Sequence, residues 1–147
     1  MKREIGLDKL KSILVEKGVK PSIQRLKILE VLLKEGHPSV DDIYRALIDE
    51  IPTLSKTTVY NTLNLFLEKR IAQSFTVAGD NELRYEYLNS PHAHFKCIKC
   101  GKIYDLELDC DVFKKKEING FKINKALVYF EGICKRCQSL KNSWQKR

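Results

Sequence analysis

Two Cys-x-x-Cys pairs constrain this chain more than any other feature of its sequence. Cys97 and Cys100 form the first pair, and Cys134 and Cys137 form the second, near the C-terminus. Two intervening residues allow both thiolates of a pair to bind one tetrahedral ion, and two pairs supply all four ligands. The spacing therefore predicts a closed, structural Zn²⁺ site with four cysteine ligands in the C-terminal part of the chain.

The fifth cysteine, Cys110, lies outside both pairs. An odd cysteine count argues against a secreted disulfide framework, and reduced thiols that bind metal are typical of the cytoplasm. No apolar run approaches the length of a membrane span, and no signal-peptide core follows the first residues. We therefore expect a cytoplasmic protein without membrane attachment. Cys110 is interpreted as a small helix residue, with a redox or metal role as the alternative.

The first half of the chain shows apolar residues at helical spacing in four consecutive segments. The first two predicted helices end at Gly18 and Gly36, and Ser39 and Ser55 are suited to cap the third and fourth. The third and fourth helices are separated by a three-residue turn, residues 52–54. A helix, a short turn and a second helix form the helix-turn-helix pattern.

One face of the fourth helix is polar and carries Thr57, Tyr60, Asn61 and Asn64. Asn can form paired hydrogen bonds with adenine, while Tyr and the Thr methyl group can contact thymine methyls. This face therefore suits the major groove of double-stranded DNA, although the solvated side of a helix bundle would have the same composition. Alternating residues 71–77 and 83–87 around a Gly-Asp-Asn turn predict a hairpin, and a hairpin after such a helix makes a winged helix.

The composition changes at residues 89–91, which indicates a boundary between domains 1–89 and 90–147. The net charge of +8 is uneven, because residues 1–89 carry 14 basic and 13 acidic side chains and residues 90–147 carry 13 and 6. Four thiolates on one dication would remove about two positive charges from the second domain, so bulk charge does not locate a DNA surface. The elements predicted there are strands 92–98 and 102–106, a helix 109–118, a turn at Asn119-Gly120, a strand 121–130 and a frayed polar tail 141–147.

The ordered set of motifs resembles the ferric uptake regulator family over nearly the whole chain. The matching motifs are His37-Pro38-Ser39, Thr58-Val59-Tyr60, Arg84-Tyr85-Glu86, His92-x-His94 and the two Cys-x-x-Cys pairs. The resemblance implies an α+β protein: an N-terminal winged-helix DNA-binding domain, and a small α/β dimerisation domain that contains the zinc site. It also implies a homodimeric, metal-dependent regulator, in most cases a repressor, that binds palindromic AT-rich operators and has no small-molecule substrate.

The resemblance further implies two metal sites in each subunit. Cys97, Cys100, Cys134 and Cys137 match the structural zinc ligands, and the regulatory ligands are matched by His37, Glu86, His92, His94 and Asp105. Three imidazoles and two carboxylates suit Fe²⁺ or Mn²⁺, with Zn²⁺ or Co²⁺ as further candidates. The positions of a third metal site in some relatives are occupied here by Pro91, Ala93 and Lys125, which cannot serve as its ligands.

The subtype and two other classes of function stay open at this point. Asp105 and Asn61 resemble the peroxide-sensing branch of the family, whereas Glu86 resembles iron-uptake regulators. A zinc-ribbon interaction module would explain the four cysteines but not the polar face of the fourth helix or His37. A metalloenzyme with a His/carboxylate site is less consistent with the sequence, because five protein ligands leave little room for a substrate.

Overall fold

A computed structural model of the protein describes residues 4–76, 81–88, 93–108 and 111–145. The chain divides into two compact units, Met1–Asn89 and Ser90–Arg147. In its described part, the first unit contains four α-helices followed by a two-stranded sheet, and the second contains a three-stranded sheet, a two-stranded sheet and a C-terminal helix. None of the described helices is long and apolar enough to cross a membrane.

The helices of the first unit are α1 (Leu7–Glu16), α2 (Ile23–Glu35), α3 (Val40–Leu47) and α4 (Lys56–Glu68). They confirm the four helices predicted from apolar spacing. A serine hydroxyl caps each of the last three by accepting a backbone N–H of the first turn, and these serines are Ser22, Ser39 and Ser55. The chain therefore begins each of these helices where its sequence provides a side-chain acceptor for an otherwise unpaired N–H.

The two strands of the first unit are β1 (Ala72–Phe75) and β2 (Arg84–Tyr87), which pair antiparallel. They confirm the predicted hairpin after α4, whereas part of its predicted turn lies outside the described residues. Ala72 and Tyr85 belong to the hydrophobic core that the helices build. Because neighbouring side chains of a strand alternate between faces, Gln73, Phe75, Arg84 and Glu86 share the other face of the hairpin. The core itself consists of Leu10, Leu14, Val19, Leu26, Ile28, Leu29, Val31, Leu32, Ile43, Leu47, Leu54, Val59, Leu63, Phe66, Ile71, Ala72 and Tyr85.

The second unit is built on β3 (Ala93–Cys97), the central strand of a three-stranded sheet. Strand β4 (Ile103–Leu106) pairs antiparallel with β3 on one side. A 3₁₀ turn (Asp111–Lys114) leads to a short hairpin of β5 (Glu117–Ile118) and β6 (Phe121–Lys122). Strand β7 (Tyr129–Gly132) then pairs parallel with the other side of β3, and helix α5 (Lys135–Gln145) follows.

Three predictions for the second unit were wrong. Within residues 111–118 the structure has a 3₁₀ turn and a strand in place of the predicted helix. Asn119 and Gly120 both have positive φ, 50° and 84°, as a type I′ turn requires. This turn connects β5 to β6, so residues 117–118 form one strand of a hairpin and not the end of a helix. The predicted strand 121–130 is two strands, because residues 121–122 pair with β5 and residues 129–132 pair with β3.

The third wrong prediction is the frayed tail, since α5 continues to Gln145. Its sequence has few apolar residues but contains several Lys, Arg and Gln residues, which have high helix propensity. The helix also begins beside Cys134 and includes Cys137, so the cysteine cluster described below anchors its first turn. Polar composition alone therefore did not distinguish a surface helix from an unstructured tail.

Candidate metal centres and nucleic-acid interface

The four predicted zinc ligands meet in the second unit. Cys97 ends β3, Cys100 lies in the turn that follows, and Cys134 and Cys137 lie before and within the first turn of α5. Their Sγ atoms all lie within 4.8 Å of one another, and the Sγ atoms of Cys100 and Cys134 are 3.8 Å apart. Zn–S bonds of about 2.3 Å in a tetrahedron place the sulfurs about 3.8 Å apart. The cluster therefore fits a zinc ion with four thiolate ligands, which confirms this prediction.

The backbone around Cys97 favours its thiolate form. The backbone N–H groups of Cys100 and Cys134 point at the Cys97 Sγ, with N···S distances of 3.5 and 3.4 Å. These donors, Cys100 first, lower the pKa of Cys97 to about 6. The turn that brings Cys100 back is closed by Gly101, whose φ of 74° suits glycine and whose N–H donates to the Cys97 carbonyl at 2.9 Å. The thiolate so favoured is the form that binds zinc.

The remaining thiols show why this cluster needs a cation. The backbone N–H of Cys137 lowers the pKa of Cys134. Hydrogen bonds to Cys134, together with burial, raise the pKa values of both Cys137 and Tyr104 to about 12. Thiolates this close repel one another, so all four can be charged together only around a positive ion. Sequence reasoning missed Tyr104, because nothing in its local pattern indicates a sulfur neighbour 30 residues further along the chain.

Two regulatory candidates, His37 and Glu86, lie together in the first unit. The loop before α3 is attached to β2, because the Tyr85 N–H donates to the Pro38 carbonyl at 2.9 Å and the Arg84 guanidinium to the His37 carbonyl at 3.0 Å. The His37 ring packs edge-on against Phe75, with centroids 5.5 Å apart. In this position its Nε2 lies 3.6 Å from Oε2 of Glu86. Two residues separated by 49 positions in sequence thus form one His–carboxylate pair.

The Glu86 carboxylate is almost fully buried, at 3% exposure, and its Oε1 accepts a hydrogen bond from the Gln73 amide. Burying a carboxylate is costly unless donors or a cation compensate the charge. Metal–ligand bonds of about 2.1 Å place neighbouring ligand atoms about 3 to 3.5 Å apart, close to the observed separation from His37. A His–carboxylate pair of this geometry can therefore contribute two ligands to a divalent ion.

A second pair, His94 and Asp105, lies in the second unit on directly opposed positions of β3 and β4. The His94 Nε2 is 3.8 Å from Asp105 Oδ1, and the His94 side chain is 4% exposed while that of Asp105 is 44% exposed. This pair can likewise supply one nitrogen and one oxygen ligand. The remaining regulatory candidate, His92, and the unassigned Cys110 both lie outside the described residues.

The polar face predicted on α4 is open to solvent. Val59, Leu63 and Phe66 on the opposite side are fully buried in the core, so packing fixes the orientation of the helix. The exposed set consists of Thr57, Tyr60, Asn61 and Asn64. Tyr60 is 49% exposed, so its ring and hydroxyl group are accessible to a partner. Helix α4 therefore presents hydrogen-bonding and apolar groups of the kind that contact base edges.

Comparisons with known proteins agree with this arrangement. The model of the ferric uptake regulator family matches residues 16–131. The chain is 37% identical over 133 residues to the peroxide operon regulator of Bacillus subtilis (strain 168), covering 88% of this chain and 91% of that protein. It is similar to the crystal structure of the Vibrio cholerae ferric uptake regulator (TM-score 0.63, 29% identity, 84% of this chain and 98% of that one). It is also similar to the Campylobacter jejuni peroxide stress regulator (TM-score 0.65, 27% identity, 91% and 100%).

Proposed function

This chain belongs to the ferric uptake regulator family, and we propose that one divalent ion controls its binding to DNA. The protein is a metal-dependent transcriptional repressor of peroxide- or metal-responsive genes and is not an enzyme. It carries a four-cysteine structural zinc site and a His/carboxylate regulatory metal site. Family membership thus removes both the metalloenzyme and the isolated zinc-ribbon module as explanations of these residues.

The regulatory ion is bound by His37, Glu86, His92, His94 and Asp105. The observation that carries this proposal is the presence of a His–carboxylate pair in each unit, His37 with Glu86 and His94 with Asp105, in which Glu86 and His94 are buried. Either pair alone supplies two ligands, too few to hold a metal tightly, whereas together with His92 they supply five. Nitrogen and oxygen ligands of this kind suit Fe²⁺ or Mn²⁺, and Zn²⁺ or Co²⁺ can also bind them.

Metal binding would couple to DNA because its ligands come from both domains, 1–89 and 90–147. An ion held by all five ligands selects one arrangement of the two domains from those that the metal-free chain populates. In a homodimer, that arrangement sets the spacing of the two α4 helices, which must match half-sites one helical turn, or a multiple of it, apart. An effector shifts such an equilibrium only by its differential affinity for the two states, so DNA binding reports metal concentration.

The partner of the regulator is a double-stranded, palindromic, AT-rich operator. Thr57, Tyr60, Asn61 and Asn64 read its major groove from each subunit. The homodimer forms through domain 90–147, in whose described part Phe121, Leu127 and Phe130 are 72%, 49% and 42% exposed. A second copy packed against this domain would cover these apolar side chains. We place the protein in the cytoplasm, where its thiols stay reduced, without membrane attachment or a small-molecule substrate.

Selection from a random duplex library in the presence of Mn²⁺ tests this proposal. We expect an AT-rich palindrome to be enriched, and a labelled duplex of that sequence to bind tightly with Mn²⁺ and weakly after EDTA treatment that leaves the cysteine zinc in place. The matched control is the same duplex with one half-site scrambled. Enrichment of a non-palindromic sequence, or binding that does not depend on the added metal, would contradict the metal-dependent dimer.

A peroxide-sensing role is the candidate that we favour within the family. Asp105 and Asn61 are the features that support it, as does the identity to the Bacillus subtilis regulator, whereas Glu86 favours iron uptake. Bound Fe²⁺ would activate peroxide. One peroxide oxygen would be inserted into a ring C–H bond of His37 or His92, whose imidazole supplies both electrons, and the other oxygen would leave as water. We expect mass spectrometry of the Fe²⁺-loaded protein after peroxide treatment to find one added oxygen on a peptide containing either histidine. The Mn²⁺-loaded protein is the control, and no added oxygen on either peptide would favour metal-uptake regulation.

A further inference from the structure

The face of the β1–β2 hairpin that points away from the helical core carries an additional polar contact. Gln73 of β1 lies directly opposite Glu86 of β2 in the antiparallel ladder. Its Nε2 donates a hydrogen bond to Oε1 of Glu86. The other carboxylate oxygen, Oε2, is the one that lies 3.6 Å from Nε2 of His37. The two oxygens of one buried carboxylate are therefore engaged differently.

In the contact between Gln73 and Glu86, only the Gln73 side chain can donate a hydrogen bond. An ionised carboxylate has no proton to donate, so only the amide nitrogen of Gln73 can hydrogen-bond to it. The Gln73 side chain is neutral and does not compete with a cation for charge. Because Glu86 is only 3% exposed, water has little access to replace this donor. Gln73 thus holds one oxygen, and the other lies beside the imidazole of His37.

We propose that Gln73 is a positioning residue of the regulatory metal site: its hydrogen bond to Oε1 orients Glu86 so that Oε2 alone is presented to the ion. This inference rests on the proposed function, in which Glu86 is a regulatory ligand. Groups that hydrogen-bond to a metal ligand fix its orientation, and their loss commonly costs about 10- to 100-fold in metal affinity. Gln73 itself touches no metal in this arrangement and acts through Glu86.

The competing explanation is that Gln73 and Glu86 merely stabilise the hairpin as a cross-strand pair. The two explanations differ in what a substitution changes. A purely structural pair would alter thermal stability and leave the ligand field of a bound metal unchanged. A positioning residue would alter the coordination of Glu86, because the freed carboxylate can rotate or bind through both oxygens.

The test uses the full-length chain with zinc retained in its cysteine site and Co²⁺ as the probe of the second site. Co²⁺ affinity is measured by competition with a fluorescent chelator, and its coordination is followed through visible d–d absorption. Four proteins are compared: wild type, Gln73→Leu, Glu86→Gln, and the control Gln24→Leu, which makes the same chemical change on α2. Zinc content and thermal unfolding of each variant establish that the fold is intact.

We expect Gln73→Leu to weaken Co²⁺ binding by about 10- to 100-fold and to change the d–d spectrum, with zinc content and folding retained. Gln24→Leu should stay within about twofold of wild type, and Glu86→Gln should weaken binding at least as much as Gln73→Leu. If Glu86→Gln weakens binding while Gln73→Leu leaves affinity and spectrum unchanged, the positioning role is refuted and the ligand assignment survives. A weakening in Gln73→Leu without a spectral change, or shared by Gln24→Leu, also refutes it. If Glu86→Gln itself has no effect, the proposed ligand set is wrong and this inference fails with it.

Discussion

Replacing Cys97 by serine tests whether zinc supports the second unit. Among the described residues of that unit, the nearly fully buried side chains are Ala93, His94, Cys97 and Cys134. Small side chains of this kind contribute little apolar burial, and a unit of this length is marginal without a metal, a disulfide or a partner. A structural zinc site contributes about 10 to 16 kcal/mol to folding, comparable with the entire stability of a typical domain.

Cys97 is the ligand whose loss should be most damaging, because its sulfur is 0% exposed and accepts backbone N–H groups from both halves of the cluster. In Cys97→Ser the zinc site opens, the two donors lose their thiolate acceptor, and most of the zinc contribution disappears. Since that contribution is as large as the stability of the unit, we expect the second unit to unfold at room temperature. The first unit should remain folded, because its seventeen-residue core does not involve the cluster.

The assay combines zinc quantification by a colorimetric chelator with limited proteolysis and thermal circular dichroism. Wild type should hold one tightly bound zinc per chain, whereas Cys97→Ser should hold none, lose the dimer, and yield a protease-resistant N-terminal fragment. Cys110→Ser is the matched cysteine control and should keep its zinc. The argument is refuted if Cys97→Ser retains one zinc per chain and the second unit resists protease as in wild type.

Four further perturbations address the other sites. His37→Ala should leave zinc content and the fold unchanged but abolish the metal-induced gain in operator affinity. Operator DNA should then no longer tighten metal binding in calorimetric titrations. Unchanged coupling in both directions would disprove the interdomain role of the ion. Tyr60→Ala should cost about 1 to 3 kcal/mol of specific DNA affinity and little non-specific affinity, and equal losses on operator and random duplexes would show that the face does not read bases. Arg70 follows α4 with φ of 59°, so Arg70→Gly should raise the free energy of unfolding by about 0.5 to 1 kcal/mol in urea titrations, and a destabilised variant would contradict this. The backbone N–H of Ser39 lowers the pKa of Asp42, so this carboxyl binds fewer protons in the folded state than in the unfolded state. The difference in unfolding free energy between wild type and Asp42→Asn should therefore be largest at neutral pH and shrink as pH falls below about 4. A difference independent of pH would refute this linkage.

Interactions between residues close in sequence made several elements of the fold predictable. Serines placed before apolar periodic segments predicted where α3 and α4 begin, because a helix start needs an acceptor for its unpaired N–H groups and a nearby serine supplies one. The spacing of two Cys-x-x-Cys pairs likewise predicted the cysteine cluster, because tetrahedral zinc chemistry leaves few other uses for four such thiols. These features depend on residues that are close in sequence, or on an ion that tolerates few ligand sets.

The sequence did not predict which strands pair with each other in the second unit. Residues 121–130 read as one alternating strand, yet Phe121 pairs with Ile118 while Tyr129 pairs with His94. The alternation of apolar and polar residues indicates that a strand has two different faces. It does not indicate which strand lies beside it. The choice between these partners depends on the Asn119-Gly120 turn and on competition for the free edge of β3, and both are settled only when the sheet assembles.

The sequence by itself therefore determined which chemical groups this protein brings to its sites: four thiolates for zinc, three histidines and two carboxylates for a second ion, and a polar face on α4. Tertiary structure decided which of these groups touch and how they are held. The pairing of β1 with β2 sets Gln73 against Glu86, and two hydrogen bonds from β2 fix the His37–Pro38 loop beside them. The physical reason is that residue type sets what a side chain can bind. Strand register and burial set which groups lie next to that side chain and how exposed it is, and both arise from contacts between residues distant in sequence.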